Sequence, residues 1–320
     1  MQEPKKSSGC RQSRFAPGEA SCQGSKTGAE RCVAARRCLR FETGFLSRKK
    51  PADWVRFALV WGAGLITAAV LLYLIVFILI KGIPHIKPSL FAVTDPDKIS
   101  LFPPLVTTVV MVGLTLLIAV PFGVFTAIYM AEYAPRGGKP ARAVRMTAET
   151  LSGIPSIVFG LFGYIFFAGV MGWGKSVMTG CFTLAIMSLP LIMRTTEESL
   201  KAIPDAFREG SFGLGAGRMR TVFRVILPSA TPGIFAGVIL AVGRIVGETA
   251  ALIFTIGDVF KLPDGLFSAG RTLAMHVLKL SGQGFNRNEA YATAVVLLAL
   301  VIGINALSSR VERRFLKKLM

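Results

Sequence analysis

The sequence predicts an all-α integral membrane protein with six transmembrane helices, and three observations carry that prediction. Six apolar runs, each long enough to cross a bilayer, are separated by polar or basic connections. The 320 residues are 52% hydrophobic and only 17% charged, with a mean hydropathy of +0.56, less charge than a soluble domain carries. The positive charge is also sorted. Twenty-eight of the thirty-seven Lys and Arg fall in residues 1–56, 132–149, 194–224 and 310–320, which an even number of spans places on one side. Excess positive charge marks the cytoplasmic face, so both termini are expected there. The formal charge of +19 therefore reflects topology, and no nucleic-acid partner is expected.

Residues 1–53 form a basic tail rich in Lys, Arg, Ser and Gly, with no helical or strand period. Such a composition cannot bury a core and is expected to be disordered in the cytoplasm. It contains no short apolar run with a cleavage site, so it does not read as a secretory signal. Cys10, Cys22, Cys32 and Cys38 lie in the tail without metal-like spacing and are expected as free thiols; Cys181 lies in a span.

The membrane domain is expected over residues 54–320. Span 1 is Phe57–Ile80, twenty-four residues without a charge, enough to cross about 30 Å of hydrocarbon. A polar loop with three prolines, Lys81–Ser100, leads to span 2 within Leu101–Ala131, where Pro121 suggests a kink. The basic connection Glu132–Glu149 precedes span 3 within Thr150–Gly174, and a short turn leads to span 4, Ser176–Met193. Span 5 is expected from Val225 through Arg244 and Glu248 to about Gly257, and span 6 over Ala290–Ser309.

The connection at 194–228 carries more signal than a linker needs. Pro204 and Asp205 open a short helix, because proline suits a helix start and an acid complements the N-terminal dipole. Ala206, Phe207, Glu209, Gly210 and Ser211 fall within that helix, and Gly213, Gly215 and Gly217 can end it in a tight turn. A second helix with Arg218, Arg220 and Arg224 then enters span 5 at Leu227-Pro228. The result is a helix lying across the membrane surface, braced by two spans.

Arg244 and Glu248 are the ionisable residues of an otherwise apolar span, in the string AVGRIVGETAALIF. Four apart, they would share one helix face. A charge near the bilayer centre costs about 2.5–3.5 kcal/mol on insertion scales, so each should face a partner or a polar pathway. Two readings stay open: a self-neutralising pair that packs the bundle, or an anion contact in which the guanidinium binds an oxyanion bidentately. Gly243 and Gly247 would let another helix approach. Thr249 follows on the same stretch.

The spacing Glu209-Gly210-Ser211, three residues, Gly215, nine residues, Val225-Ile226-Leu227-Pro228 resembles the EAA-x3-G-x9-I-x-L-P loop of bacterial ABC-importer permeases, with Gly210 and Ser211 replacing two alanines and Val225 an isoleucine. The strings GRIVGETAALIFTIG and LSGIPSIVFGLFGY (Leu151–Tyr164) resemble the permease subunits of phosphate ABC importers. TPGIFAGVILAVGR and the C-terminal AYATAVVLLALVIGINALSSRVERR are more similar to the A-type (PstA) subunit than to its C-type partner. The resemblance covers about residues 55–320 and leaves the tail unmatched.

The resemblance implies a type I ABC importer permease fold in a bacterial inner membrane. It implies a heterodimer with the C-type phosphate permease, docked on an ATP-binding cassette ATPase dimer and fed with inorganic phosphate by a periplasmic phosphate-binding protein. The subunit itself would hold no cofactor and catalyse nothing, since ATP binds the partner. Ala206, Phe207, Glu209, Gly210, Ser211 and Gly215 would couple to the ATPase; Arg244, Glu248 and Thr249 would line the substrate pathway. Other readings keep parts of this: the C-type subunit, a permease of the same architecture for another oxyanion or solute, or a secondary transporter or channel with no ATPase. An internal inverted repeat would favour the last, and none is visible.

Three smaller features are read as structural. Gly169 to Ser176 satisfies the phosphate-loop pattern G-x4-G-K-S, but it joins two spans rather than a buried strand and a helix. Pro155, Gly160 and Gly163 are expected to serve packing. His276 is expected at the membrane interface of an amphipathic outer segment.

Overall fold

The computed structural model describes residues 51–86, 90, 100–135, 138–283 and 287–319. The expected disordered tail lies outside them apart from its last three residues, as does most of the 81–100 loop. Among the described residues every regular element is helical. The chain divides into two compact units, Met1–Leu71 and Leu72–Met320. In the first, the described part is the N-terminal portion of α1 (Pro51–Gly82), which contains predicted span 1.

The second unit holds the rest. Helix α2 (Phe102–Ile128) starts on Pro103 and Pro104, which lack the N–H groups a first helical turn leaves unpaired, and Ser100 Oγ accepts the Phe102 N–H at 3.3 Å. Pro121 sits inside α2 without interrupting it, and the helix runs on into a π-helical turn, Tyr129–Tyr133. Next come α3 (Lys139–Gly153) and α4 (Ser156–Gly163), the latter extended by a π-helical stretch, Tyr164–Val170. Helix α5 (Val177–Lys201) is capped by Ser176, whose Oγ accepts from Thr179 N. The short α6 (Asp205–Gly213) and α7 (Arg218–Thr221) follow. A π-helical turn, Val222–Ile226, then joins α7 to α8 (Leu227–Val246). Helices α9 (Ala250–Thr255), α10 (Leu273–Gln283) and α11 (Arg287–Leu319) complete the chain.

Five stretches are long and apolar enough to cross a membrane: residues 57–85, 102–133, 177–201, 218–246 and 287–314. Predicted span 3, expected within Thr150–Gly174, is corrected at its start. That range is not one helix, because α3 and the apolar stretch Ser156–Val170 meet at a bend of 103°. Pro155 is the cause: it disfavours helical backbone at the preceding residue, and Ile154 is extended at φ −76°, ψ 133°. Helix α3 belongs to the basic connection, and the membrane element begins at Ser156.

Span 5 is corrected too. It ends at Val246 instead of continuing to Gly257, and after Gly247, Glu248 and Thr249 a separate helix, α9, begins. The Gly-rich turn that imitates a phosphate loop proves to be a connector, with Gly172 and Gly174 at positive φ and Ser176 capping α5.

Helix α5 is the centre of the unit. Its Val177, Cys181, Leu184 and Met187 pack with Met111 of α2, Phe159 of α4, Ile245 of α8 and Leu252 of α9. Lipid offers no hydrophobic drive for helix association, so close approach through small residues matters more than in water. Gly123 of α2 lies against Ile192, Gly163 against Thr183, and Gly233 and Gly237 of α8 against Ser199 and Thr195. Buried hydroxyls return their hydrogen bonds to their own helices, as Thr183 does to Thr179 O at 2.7 Å. Thr108 Oγ1 also accepts the Leu273 N–H at 2.9 Å, tying the start of α10 to α2.

At Gly160 the neighbour is backbone: a Cβ there would lie 2.6 Å from Ala251 O and 2.7 Å from its Cα. Since backbone cannot swing aside, Gly160→Val is expected to cost roughly 1–3 kcal/mol, the range for overpacking. Thermal unfolding of the detergent-purified protein should show a lowered midpoint. Gly113→Ala, where a Cβ meets nothing within 4 Å, should leave it unchanged.

Candidate functional site

The loop after α5 folds much as expected. Helix α6 starts after Pro204, which sits one position before its first turn with Asp205 at the dipole's positive end. None of its nine residues is buried; Ala206, Phe207, Glu209 and Gly210 are all exposed, and Ser211 is half-buried. Of the three candidate glycines, Gly215 ends the helix, at φ +80°. Its N–H donates to Phe212 O at 2.9 Å, and the Ala216 N–H reaches back to Ser211 O at 3.1 Å. That pair of bonds is a Schellman stop, and a Cβ would strain it. Ser211 Oγ lies 2.8 Å from Thr221 Oγ1, so the two legs of the loop are bonded to each other.

The residue that ties α6 to the membrane helices was not singled out from sequence. It is Arg208. Its Nε and Nη2 donate to Glu132 at 3.2 and 2.7 Å, its Nη2 also to Leu200 O at 2.9 Å, and its Nη1 to Ile203 O at 2.9 Å and Asp205 Oδ1 at 3.0 Å. The side chains of Arg208 and Glu132 are 17% and 8% exposed. The bonds to Glu132 raise the guanidinium's pKa above its ordinary value against an opposing effect of burial. Beside Glu132, Tyr133 donates to Met219 Sδ at 3.1 Å, and the Arg218 guanidinium stands 5.8 Å from its ring. One sequence signal marked this place: Glu132 is the first charge after the uncharged run of span 2.

Arg244 and Glu248 do not share a helix face, which corrects the expectation from their spacing. Arg244 is in the last turn of α8, whereas Glu248 follows the helix end and its Oε1 accepts the Ala251 N–H at 3.2 Å. Glu248 thus satisfies the open N-terminus of α9, and Thr249 is that helix's N-cap residue. No ion pair or hydrogen bond among the described residues engages the Arg244 guanidinium, so the self-neutralising pair is absent. Nor does another described helix approach Gly243, where a Cβ would meet nothing within 4 Å.

Arg244 instead lines a cavity of about 360 Å³ with Arg145, Glu149, Met187, Arg194, Glu197 and Lys201 among others. Helices α5 and α8 run antiparallel, with Gly237 against Thr195 and Gly233 against Ser199, so the cavity extends from the middle of α5 to its end beside the loop. Glu197, 6% exposed, receives Arg145 and Lys201, and Arg194 pairs with Glu198 at 3.0 Å. The basic side chains around Arg244 are therefore matched by carboxylates while Arg244 is not.

The segment between α9 and α10 is a second polar cluster. Arg271 and Lys279 pair with Asp258 at 2.6 and 2.7 Å, and the Arg271 guanidinium lies 4.9 Å from the Phe260 ring. His276, expected at the interface, is instead fully buried beside Phe260 with its Nδ1 3.4 Å from Arg271 Nη1. Burial first, and then the Arg271 charge, push its pKa down to about 4 against the opposing pull of Asp258. Burial raises the Asp258 pKa, but the Lys279 hydrogen bond and the two cations hold it below its usual value.

A family model described as "Binding-protein-dependent transport system inner membrane component" matches residues 119–319. The chain is 34% identical over 261 residues to "Probable ABC transporter permease protein YqgI" of Bacillus subtilis, covering 74% of this chain and 87% of that one. It is 34% identical over 241 residues to "Phosphate transport system permease protein PstA" of Haemophilus influenzae, covering 72% and 83%. Among solved structures, a bacterial alginate ABC transporter chain superposes with a TM-score of 0.64 at 15% identity, covering 83% of this chain and 96% of that one. At that identity the likeness speaks for the fold.

The buried imidazole sets a pH dependence. His276 titrates near pH 6.5 when unfolded and at about 4 when folded, so the unfolded chain takes the extra proton. Stability is then fully present above about pH 6.5 and declines between there and about pH 4. Asp258, with its lowered pKa, adds a loss of the same sign at the acid end. Thermal midpoints measured from pH 7.5 to 4 should fall for the wild type and fall less for His276→Gln.

Proposed function

The chain belongs to the family of binding-protein-dependent transport system inner membrane components, and from that premise we propose that it is the A-type membrane subunit of an ATP-driven phosphate importer. An ABC importer permease forms the passage through the membrane and leaves ATP hydrolysis to a separate subunit. On this reading the chain pairs with a C-type permease, docks on an ATPase dimer and receives inorganic phosphate from an extracytoplasmic binding protein. Both termini and the α6 loop face the cytoplasm, on the positive-inside distribution of Lys and Arg. No cofactor is needed in this chain.

The observation that carries the reading is Arg244, a guanidinium unmatched by any carboxylate and lining a cavity that runs toward the α6 loop. Two parallel hydrogen bonds to an oxyanion would complete it, and a neutral solute would leave it unsatisfied. Relatives named as phosphate transport permeases support the choice of anion. Glu248 and Thr249 act by fixing the start of α9 beside the arginine. Ala206, Phe207, Glu209, Gly210 and Ser211 present the exposed helix that meets the ATPase, and Gly215 fixes where it stops. Coupling follows if ATP-driven closure of the partner displaces this helix, because the two access states then make different contacts with it.

Uptake of labelled phosphate into vesicles holding the reconstituted complex tests the reading. Glu209→Lys is expected to abolish uptake and release the ATPase from the membrane. Arg244→Gln is expected to lower uptake at least tenfold with the complex intact. Adding Glu248→Gln should not restore it, since the two residues are not paired. Uptake of a different anion by the wild type would keep the architecture and replace the substrate, whereas normal transport by both single variants would overturn the assigned roles.

A further inference from the structure

We propose that Glu132 and Tyr133, in the π-helical turn closing α2, are positioning residues that clamp both legs of the coupling loop, so that a displacement of α6 is carried directly into α2. This rests on the reading above that an ATPase drives the loop, and it adds where the force enters the membrane helices.

Helix α6 buries none of its own residues, and Phe207 and Phe212 are only about half covered, so apolar contact anchors it weakly. Its firm attachment is Arg208. A guanidinium has five N–H donors, and here they serve Glu132, Leu200 O, Ile203 O and Asp205, with Glu132 taking the bonds from Nε and one from Nη2. The fork therefore joins three elements: the end of α2, the last turn of α5 and α6 itself. A lysine has only three donors on one atom and cannot reproduce that geometry. The second leg is held one residue further along α2, where Tyr133 meets Met219 and Arg218. The Ser211–Thr221 contact closes the ring by joining leg to leg.

The π-helical turn makes this possible. Turns of this kind insert a residue into an α-helix and re-aim the side chains that follow, often at functional positions. Glu132 and Tyr133 are adjacent in sequence yet reach opposite legs. Above them α2 is committed to the bundle, with Gly123 against Ile192 and Met111 and Val112 in the core. A pull on Arg208 thus acts on a helix that cannot deform locally without losing packing.

The test uses the complete complex in vesicles and reads uptake per ATP hydrolysed. Glu132→Gln keeps the shape and removes the charge. It should leave the ATPase bound and hydrolysing while uptake per ATP falls at least tenfold; Glu132→Asp should recover part of the loss, and Tyr133→Phe should cost two- to threefold. A second measurement needs no weakened variant. Spin labels on Tyr129→Cys, an exposed position on the turn, and Gly213→Cys, where a Cβ meets nothing, should keep one separation in nucleotide-free and ATP-bound states. That separation should shift or broaden when Glu132→Gln is added.

A change in label separation between states in the otherwise wild-type chain overturns the clamp. So does wild-type uptake per ATP in an assembled Glu132→Gln complex. Loss of the ATPase from Glu132→Gln would make the pair a docking contact and overturn the clamp as well. A wild-type chain that captures no ATPase overturns the importer reading, and the clamp with it; a coupled wild type with an equally coupled Glu132→Gln removes the clamp alone.

Discussion

How closely helices can approach α5 governs the rest of the structure. Within a bilayer the apolar surface of a helix is as well solvated by lipid as by a neighbour, so association depends on contact and fit. Here the fit comes from glycine. Gly123 of α2, Gly163 of α4, and Gly233 and Gly237 of α8 bring three stretches of chain onto α5 at a distance where a Cβ would collide. Two of those contacts, with Ser199 and Thr195, set the register of α8 against α5, and that register places Arg244 at the depth of the middle of α5. The position of the unpaired guanidinium is a consequence of packing several turns away.

The same closeness recurs where two apolar segments are broken. Gly160 of α4 lies against the backbone of Ala251 in α9, an approach between two short helices that each begin just after a break. Pro155 produces the first break through its effect on Ile154. At the second, Gly247 closes α8 and Glu248 supplies the acceptor that the new helix start requires. Interrupted helices are tolerated at membrane depth where the freed backbone groups find partners or face a polar space. Glu248 is one such partner, and the Arg244 cavity is such a space.

The sequence made the membrane class, four of the spans and the loop at 194–228 legible, because hydropathy, charge placement and the Pro/Gly punctuation around α6 are local signals. It misled where local signals agree with two conformations. The string AVGRIVGETAALIF has the composition of one continuous span, and only the partners of Gly247 and Glu248 in space decide that it is two helices. His276 sits on a segment amphipathic by pattern, yet the 257–272 stretch folds over it: Gly270 N–H reaches Ile256 O, and Val177 N–H reaches Ser268 O. Arg208 was invisible for another reason. Its partner Glu132 lies seventy-six residues away, and nothing in either neighbourhood announces the other.

On the proposed reading, in which α6 meets an ATPase, that long-range pair also answers a conflict built into the loop. A helix that must present a face to another protein cannot bury much of itself, yet a helix that buries nothing is poorly held. Apolar anchoring would draw α6 into the bundle and hide the surface it offers. A charged fork does otherwise: it reaches from one edge of the helix, uses Leu200 O, which the end of α5 leaves open, and Ile203 O just beyond it, and needs little apolar area. Such a buried pair adds little net stability, because desolvation offsets most of its attraction, but removing either partner strands the other. Its contribution is direction. Bonds from five donors define an orientation that side-chain packing of comparable size would leave loose, and a lever is only as good as its least rigid joint.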